Sequence, residues 1–180
     1  MITISSIIKF KPVATTFVDS SHSNKNFSSL EKMLAGSIHT TASTSIMYKT
    51  LLSFDLSILC SCPIKYAYLF LHLKDINSDS SYYSNNNLSL YKNVYPFNSS
   101  KVTWNTVPET SILNAISIKE SEVGFYTKFD LTNFFKNNIS YDNLGITIEP
   151  SNYYSSLIKF SSVNSDNPPW LILKYNNLSC

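Results

Sequence analysis

The pattern of hydrophobic and polar positions along the chain is that of β-strands. Residues 66–73 alternate between aromatic side chains on one side of an extended segment and mainly aliphatic side chains on the other. Short segments of this kind, rich in β-branched or aromatic residues, predict strands. The predicted strands are 49–56, 66–73, 88–94, 125–131, 144–148, 157–160 and 171–175.

Polar breakers separate these segments. Asn, Ser, Asp and Pro residues predict a loop at 78–87, a turn at 98–100 and a break in regular structure at 166–169, before the last strand. Apolar residues in 131–137 recur at helical spacing, which predicts one helical turn capped by Asp130 or Thr132. Many short strands and little helical periodicity favour an all-β fold, an antiparallel β-sandwich of jelly-roll type, in one domain.

Length and composition exclude several classes of function. The 180 residues are enough to bury one core without disulfides or metals. All fourteen positive side chains are lysine. Without arginine the bidentate contacts that read phosphates and guanine are missing, so we expect no nucleic-acid partner. Three glycines are too few for glycine-rich nucleotide loops, and no cofactor is predicted.

The polar surface is predicted to carry little charge. Serine and asparagine dominate the polar positions, with 31 and 19 residues, and the net charge is +2. Such a surface is typical of extracellular or assembled coats. The N-terminus lacks the pattern of a signal peptide, and no segment is apolar enough for a membrane span. We therefore expect an extracellular surface, or a surface layer whose proteins need no export.

Three cysteines leave at least one thiol without a disulfide partner in its own chain. Cys60 and Cys62 are too close in sequence for an easy mutual disulfide, and no second pair completes a zinc site. Free thiols are one interpretation. In the other, Cys180 bonds to Cys60 or Cys62 of a neighbouring chain, and such head-to-tail links propagate into fibres.

No arrangement typical of a catalytic or metal site occurs in the sequence. The three histidines lack Cys or acidic partners at metal-ligand spacing. Asp55 and Asp130 each follow a phenylalanine at a strand end, as a glycosidase carboxylate pair could, but capping of the following turn explains both. Residues 75–79 lack the glycine and glutamate of a calcium loop. The sequence therefore predicts a non-catalytic protein and contains no metal-site motif, which leaves open a calcium site formed by separate loops.

Tyrosines near predicted loops offer a surface for sugars. Aromatic rings present large apolar faces that can stack on the C–H face of a pyranose, while neighbouring amides bond its hydroxyls. The candidates are Tyr82, Tyr83, Tyr95, Tyr153 and Tyr154. In the alternative interpretation, the tyrosines are present because tyrosine is a good strand former. Trp104 and Trp170 are predicted to lie in the core.

Several motifs follow one another in a characteristic order. They are SNKNF at 23–27, YKTLLSFDL at 48–56, LSLY at 88–91, VTWNTVP at 102–108, FYTKFDLT at 125–132, GITI at 145–148 and PPWLILKY at 168–175. This order resembles the DNRLRE domain family, which is grouped with carbohydrate-binding modules. The resemblance implies a β-sandwich jelly roll of bacterial surface, secreted and spore-associated proteins, some of which bind polysaccharide. Lys49 and Ser53 replace the family's arginine and lysine, which implies a weaker ligand site if those charges form it.

The resemblance begins at Pro12, so residues 1–11 form an N-terminal extension strand before a domain of residues 12–180. Ile2, Ile4, Ile8 and Phe10 fall on one face of this strand, which has almost no charge to prevent edge pairing. The strand either pairs within its own sandwich or adds to the sheet of a second subunit.

Two functional hypotheses result. The favoured one is a structural protein of a bacterial outer surface (spore coat, exosporium, appendage or fibre). It would assemble with itself, or with other surface-layer proteins, through strand pairing and intermolecular disulfides. The alternative is a carbohydrate-binding module that recognises a polysaccharide through tyrosine-rich loops.

Overall fold

The computed structural model describes residues 5–41, 44–59, 63–77, 85–136, 143–152 and 154–176. They form antiparallel strands and one short helix. The strands are β1 (Ser5–Phe10), β2 (Ala14–Asp19), β3 (Lys32–Thr41), β4 (Thr44–Asp55), β5 (Ile64–Asn77), β6 (Asn87–Asn93), β7 (Thr110–Ser117), β8 (Tyr126–Asp130), β9 (Asn143–Pro150), β10 (Leu157–Ser161) and β11 (Trp170–Asn176), and the helix is α1 (Thr132–Lys136). Short 3-10 turns cover Ser20–His22, Ser57–Leu59, Trp104–Thr106 and Glu120–Glu122.

The strands form two layers that are joined at one side. One layer, called here the β5 sheet, has the order β1-β11-β5-β8. The other, the β4 sheet, has the order β3-β4-β9-β6-β7, and β2 also pairs with β4. Strand β10 joins the layers because it pairs with β3 and with the C-terminal part of β5. The prediction of an antiparallel sandwich of jelly-roll type is confirmed.

The core lies between the two sheets and receives every second residue of the main strands. Leu69 and Leu71 enter it from β5, and Leu52 and Phe54 enter it from β4; all four are fully buried. Burying a side chain of this size stabilises the fold by about 1.5–3 kcal/mol relative to leaving it exposed. The period of two along each strand therefore decides which side chains are inside.

A smaller hydrophobic cluster lies on the outer side of the β4 sheet. Leu51 belongs to it because successive strand residues point to opposite faces and Leu52 points into the core. Its other members, buried or packed against it, are Val18, Val102, Phe97, Trp104 and Val107. The connection between β6 and β7, residues 94–109, therefore folds over the outer side of the β4 sheet.

All seven predicted strands are confirmed, as β4, β5, β6, β8, β9, β10 and β11, and the predicted helical turn is α1. The alternating pattern does not reveal β2, β3 and β7. Strand β3 contains Gly36 at φ 124°, where the Ser156 carbonyl oxygen occupies the place a Cβ would need. Strand β7 is mostly exposed and carries polar residues at positions of either phase.

The N-terminal strand pairs within its own chain over Ser5–Phe10, where its partner is β11. Ile8 and Phe10 pack against the core, whereas Ile7 is 62% exposed. Ile2 and Ile4 lie outside the described residues. Strand β1 stands at the end of the sheet order, so pairing of its other edge with a second subunit stays a prediction.

Candidate functional site

A row of aromatic side chains covers the outer side of the β5 sheet. Tyr66, Tyr68 and Phe70 alternate along β5 with residues that are buried in the core, so they point outward and remain partly exposed. The ring centroids of Tyr66 and Tyr68 are 5.1 Å apart, and those of Tyr68 and Phe70 are 6.5 Å apart. The three rings therefore form a continuous strip along the strand.

Strand pairing adds one aromatic side chain from each of two neighbours of β5, namely β11 and β8. Residues directly opposite each other in an antiparallel pair share one face of the sheet. Trp170 of β11 is opposite Phe70, and Tyr126 of β8 is opposite His72. The name "aromatic face" is used below for Tyr66, Tyr68, Phe70, Tyr126 and Trp170.

His72 and Tyr126 fix one end of the aromatic face. Their rings meet edge to face at 5.3 Å. The ring nitrogens of His72 lie 3.1 Å from Ser161 Oγ and 3.1 Å from the Gly124 carbonyl oxygen, and the Tyr126 hydroxyl donates to the Pro168 carbonyl oxygen at 3.1 Å. Side chains that are already held in place lose less conformational entropy when a ligand binds.

Lysines lie against the rings of the aromatic face. The distances from Nζ to the ring centroid are 3.7 Å for Lys9 and Trp170, 4.6 Å for Lys128 and Tyr68, and 5.7 Å for Lys174 and Tyr66. Such cation–π contacts contribute about 0.5–1 kcal/mol each at exposed sites. They position the rings and place three positive charges on the same side of the sheet.

The two candidate carboxylates both cap local turns. Asp130 Oδ1 accepts a hydrogen bond from the Thr132 backbone N–H at 2.8 Å, and Asp55 Oδ1 accepts one from the Ser57 N–H at 3.0 Å. Hydrogen bonds from Thr132 lower the pKa of Asp130 below its ordinary value, and hydrogen bonds from Ser57 do the same for the pKa of Asp55. A general acid for glycoside hydrolysis needs a raised pKa, so the capping interpretation accounts for both residues.

The described part of the chain contains neither a cluster of metal ligands nor a long apolar helix. Within it, no group of three or more His, Cys, Asp or Glu side chains is placed to hold a metal ion. In the same residues, no helix has the length and hydrophobicity to span a membrane.

A cavity of about 380 Å³ opens in the 94–109 connection. It is called here the loop cavity. Its lining includes Tyr95, Pro96, Phe97, Asn98, Lys101 and Thr106. Tyr95 is 63% exposed. Apolar walls with a few amide, ammonium and hydroxyl groups are typical of small-molecule sites, and so is a volume of this size.

The two predicted tyrosines that the structure describes, Tyr95 and Tyr154, do not lie in one site. Tyr95 follows the C-terminal end of β6, whereas Tyr154 lies at the other end, where its carbonyl oxygen accepts from the Asn85 N–H at 2.9 Å. The length of β6 separates the two by roughly 20 Å. Tyr154 instead stacks on His39, with ring centroids 5.6 Å apart. The remaining site candidates lie outside the described residues: Tyr82, Tyr83, Tyr153, Cys60, Cys62 and Cys180.

The aromatic face is the feature that sequence reasoning missed. The sequence feature that could have revealed it is the hydrophobic character of both sides of β5. This pattern is typical of a strand buried on both sides. No described element forms a layer over the outer side, so the aromatic residues there meet solvent. The prediction that Trp170 lies in the core is wrong, because Leu171 and Leu173 of β11 fill the core and Trp170 points the other way.

Comparison with known proteins gives one family. The model of carbohydrate-binding module family 96 matches residues 6–175. None of the curated proteins matches significantly. The match confirms the resemblance to carbohydrate-binding modules at the level of a module family, and the narrower assignment to the DNRLRE domain stays a prediction.

Proposed function

Because the chain belongs to carbohydrate-binding module family 96, we propose that it is a non-catalytic module that binds a polysaccharide on the aromatic face. The matched residues 6–175 include every residue of this face. The observation that carries the proposal is the row of partly exposed rings on a sheet side that meets solvent.

The chemistry of the aromatic face suits a sugar. A contiguous exposed apolar patch is typical of an interaction site such as a ligand-binding groove. A pyranose has a complementary form, with an apolar face of C–H groups and hydroxyls around its edge. Stacking removes water from both apolar faces, and the polar tips of tyrosine and tryptophan remain able to form hydrogen bonds.

The strip on β5 suits an extended chain better than a single sugar. Side chains two residues apart on a strand are separated by roughly 6.5 Å along its axis. Tyr66, Tyr68 and Phe70 thus offer contacts in succession along one line. A ligand that extends along this line can contact each ring, which favours a polysaccharide over a free monosaccharide.

Affinity electrophoresis tests the proposal, in native gels that contain hydroxyethyl cellulose, oat xylan or polygalacturonate. The decisive variant is Tyr68→Ala, because Tyr68 lies between the other two rings of the strip. Loss of a central aromatic anchor is expected to weaken binding at least about tenfold. Tyr68→Phe keeps the ring and is expected to keep most of the affinity.

Two results would contradict the proposal. If a polymer retards the wild type and Tyr68→Ala equally, binding lies elsewhere on the molecule. If none of a broad panel of polysaccharides retards the folded wild type, the module function itself is wrong. Thermal unfolding of both variants controls for a loss of structure.

A second candidate function is self-assembly as a structural protein of a bacterial outer surface. The observation that favours it is that two edge strands, β1 in the β5 sheet and β7 in the β4 sheet, have an unpaired side among the described residues. Strand β7 contains no charged residue and no proline, and Lys9 is the one charge in β1. The features that usually block edge-to-edge pairing are therefore few.

Negative-stain electron microscopy of the wild type, Ile7→Lys and Ile112→Lys tests this second function. Ile7 and Ile112 are strongly exposed on β1 and β7, so a lysine there leaves the core intact. Filaments or sheets that the wild type forms and these variants lose would support assembly through the edges. Monodisperse wild-type particles would contradict it.

A further inference from the structure

The aromatic face and the loop cavity lie on opposite outer sides of the sandwich. On β5, Tyr68 points outward because its neighbour Leu69 is in the core. On β4, Leu51 points outward because Leu52 is in the core, and Leu51 packs with Val102 of the 94–109 connection. Because the two sheets sandwich that core, their outer sides face away from each other.

The connection that forms the loop cavity is tied down by hydrogen bonds at several points. The Asn26 side-chain amide donates to the carbonyl oxygens of Ser99 at 2.6 Å and Val102 at 2.7 Å. The Val94 N–H donates to the Glu109 carbonyl oxygen at 2.8 Å, which closes the base of the connection. The cavity is therefore formed before any ligand arrives.

The same connection is also held by packing against the outer side of the β4 sheet. Trp104 packs on the cluster that contains Val18 and Leu51. The Lys49 ammonium lies 5.2 Å from the centroid of the Trp104 ring and forms an ion pair with Glu149. A preformed cavity on such a support is able to select a ligand by shape.

The lining of the loop cavity matches one or a few sugar units. Tyr95 and Phe97 supply aromatic rings, and Asn98, Lys101 and Thr106 supply amide, ammonium and hydroxyl groups. The Asn98 amide is fixed in the wall because its Oδ1 accepts from both the backbone N–H and the hydroxyl of Ser100, at 3.0 and 2.7 Å. The cavity is local and open to solvent on one side, whereas the strip on β5 extends along a strand.

We propose that the loop cavity is a second saccharide site, for a short segment or an end of a chain, and that one molecule thereby bridges two polysaccharide segments. The inference rests on the proposed function of the aromatic face. Two sites that face away from each other cannot contact the same short oligosaccharide. Their joint effect is multivalent, because each molecule cross-links chains that it binds on both sides.

Light scattering of mixtures tests the bridging. Hydroxyethyl cellulose, oat xylan and polygalacturonate are mixed in turn with the wild type, Tyr95→Ala, Lys101→Ala and Ile58→Ala. Ile58 is the matched control because it is 66% exposed, close to the 63% of Tyr95, and lies in the Ser57–Leu59 turn. Protein without polymer controls for self-assembly.

The expected result is scattering that peaks at an intermediate ratio of protein to polymer for the wild type and Ile58→Ala. Tyr95→Ala and Lys101→Ala are expected to lose the peak while the gels still show retardation within about threefold of the wild type, because the aromatic face is intact. Calorimetry with oligosaccharides prepared from the same polymer is expected to give two sites per wild-type chain and one per Tyr95→Ala chain.

The outcomes distinguish failure of the second site in the loop cavity from failure of the proposed site on the aromatic face. One site per wild-type chain, with Tyr95→Ala indistinguishable from the wild type, would overturn the second site and leave the aromatic face unaffected. Loss of all binding in Tyr68→Ala would have the same meaning, because the intact loop cavity would then bind no saccharide by itself. Binding that only Tyr95→Ala removes would instead contradict the proposed function of the aromatic face. Circular dichroism confirms that each variant is folded.

Discussion

The two sides of β5 differ in the burial of their side chains. On the inner side, Leu69 and Leu71 are fully buried between the sheets. On the outer side, Tyr68 and Phe70 are partly exposed, and Lys128 lies over the ring of Tyr68. Both sides are hydrophobic in sequence, yet only one is enclosed. The hydrophobic side chains on the outer side therefore do not form a second core, and their rings remain partly exposed.

The largest expected effect is the loss of stability caused by a substitution on the inner side of β5. Leu71→Ala removes a fully buried side chain and leaves a cavity, which is expected to destabilise the fold by about 2–5 kcal/mol. Urea unfolding measures this change. Tyr68→Ala on the outer side is expected to lower stability by about 1 kcal/mol or less, because its ring keeps contact with water on one side. Equal losses of stability would remove the contrast between the two sides.

The next effect concerns affinity on the outer side. Trp170→Ala removes the ring opposite Phe70 and is expected to weaken retardation by the bound polysaccharide about tenfold. Tyr154→Ala is the comparison variant, since Tyr154 is exposed and lies on neither the aromatic face nor the loop cavity. It is expected to bind as the wild type does. A larger loss for Tyr154→Ala would move the site to the loops that the sequence predicted.

The lysines of the outer side are expected to have a smaller effect that depends on the charge of the polymer. Lys128→Gln and Lys174→Gln each remove a positive charge beside a ring of the aromatic face. For acidic polygalacturonate, each is expected to weaken binding a few-fold, about 0.2–1 kcal/mol, and to reduce the salt dependence. For neutral hydroxyethyl cellulose the effect is expected to be negligible. Equal effects on both polymers would show that the lysines act only by supporting the rings.

The smallest expected effect is on stability in acid. The pKa of Asp130 is lowered by hydrogen bonds from Thr132, so its ionised form stabilises the folded state. This contribution is complete above its ordinary value of 3.8 and is lost as the pH falls through the lower pKa of the folded state. Asp130→Asn keeps a side-chain acceptor without the titration.

Thermal unfolding of wild type and Asp130→Asn between pH 2 and 6 measures this contribution. The wild type is expected to lose stability relative to the variant below about pH 4, because only the wild type must protonate a carboxylate there. A difference that stays constant with pH would contradict the role of the charge.

Much of the fold was predictable because it depends on neighbours in the chain. Alternation at period two identified the strand that contains Leu69 and Leu71 and placed both on one side. The spacing of residues 131–137 predicted α1, and Asp130 caps it as expected. Strand β3 escaped prediction because Gly36 serves a close approach to Ser156, which is remote in sequence.

The sequence by itself determined most of the strands and which of their residues are buried, and the absence of arginine makes a nucleic-acid partner unexpected. Only the tertiary structure decided that the outer side of β5 meets solvent and that Trp170 stands beside Phe70. It also decided that Tyr95 and Tyr154 lie at opposite ends of β6. The reason is that alternation is a local property of the chain. Which strands pair, and which sides become covered, depends on contacts between segments far apart in sequence.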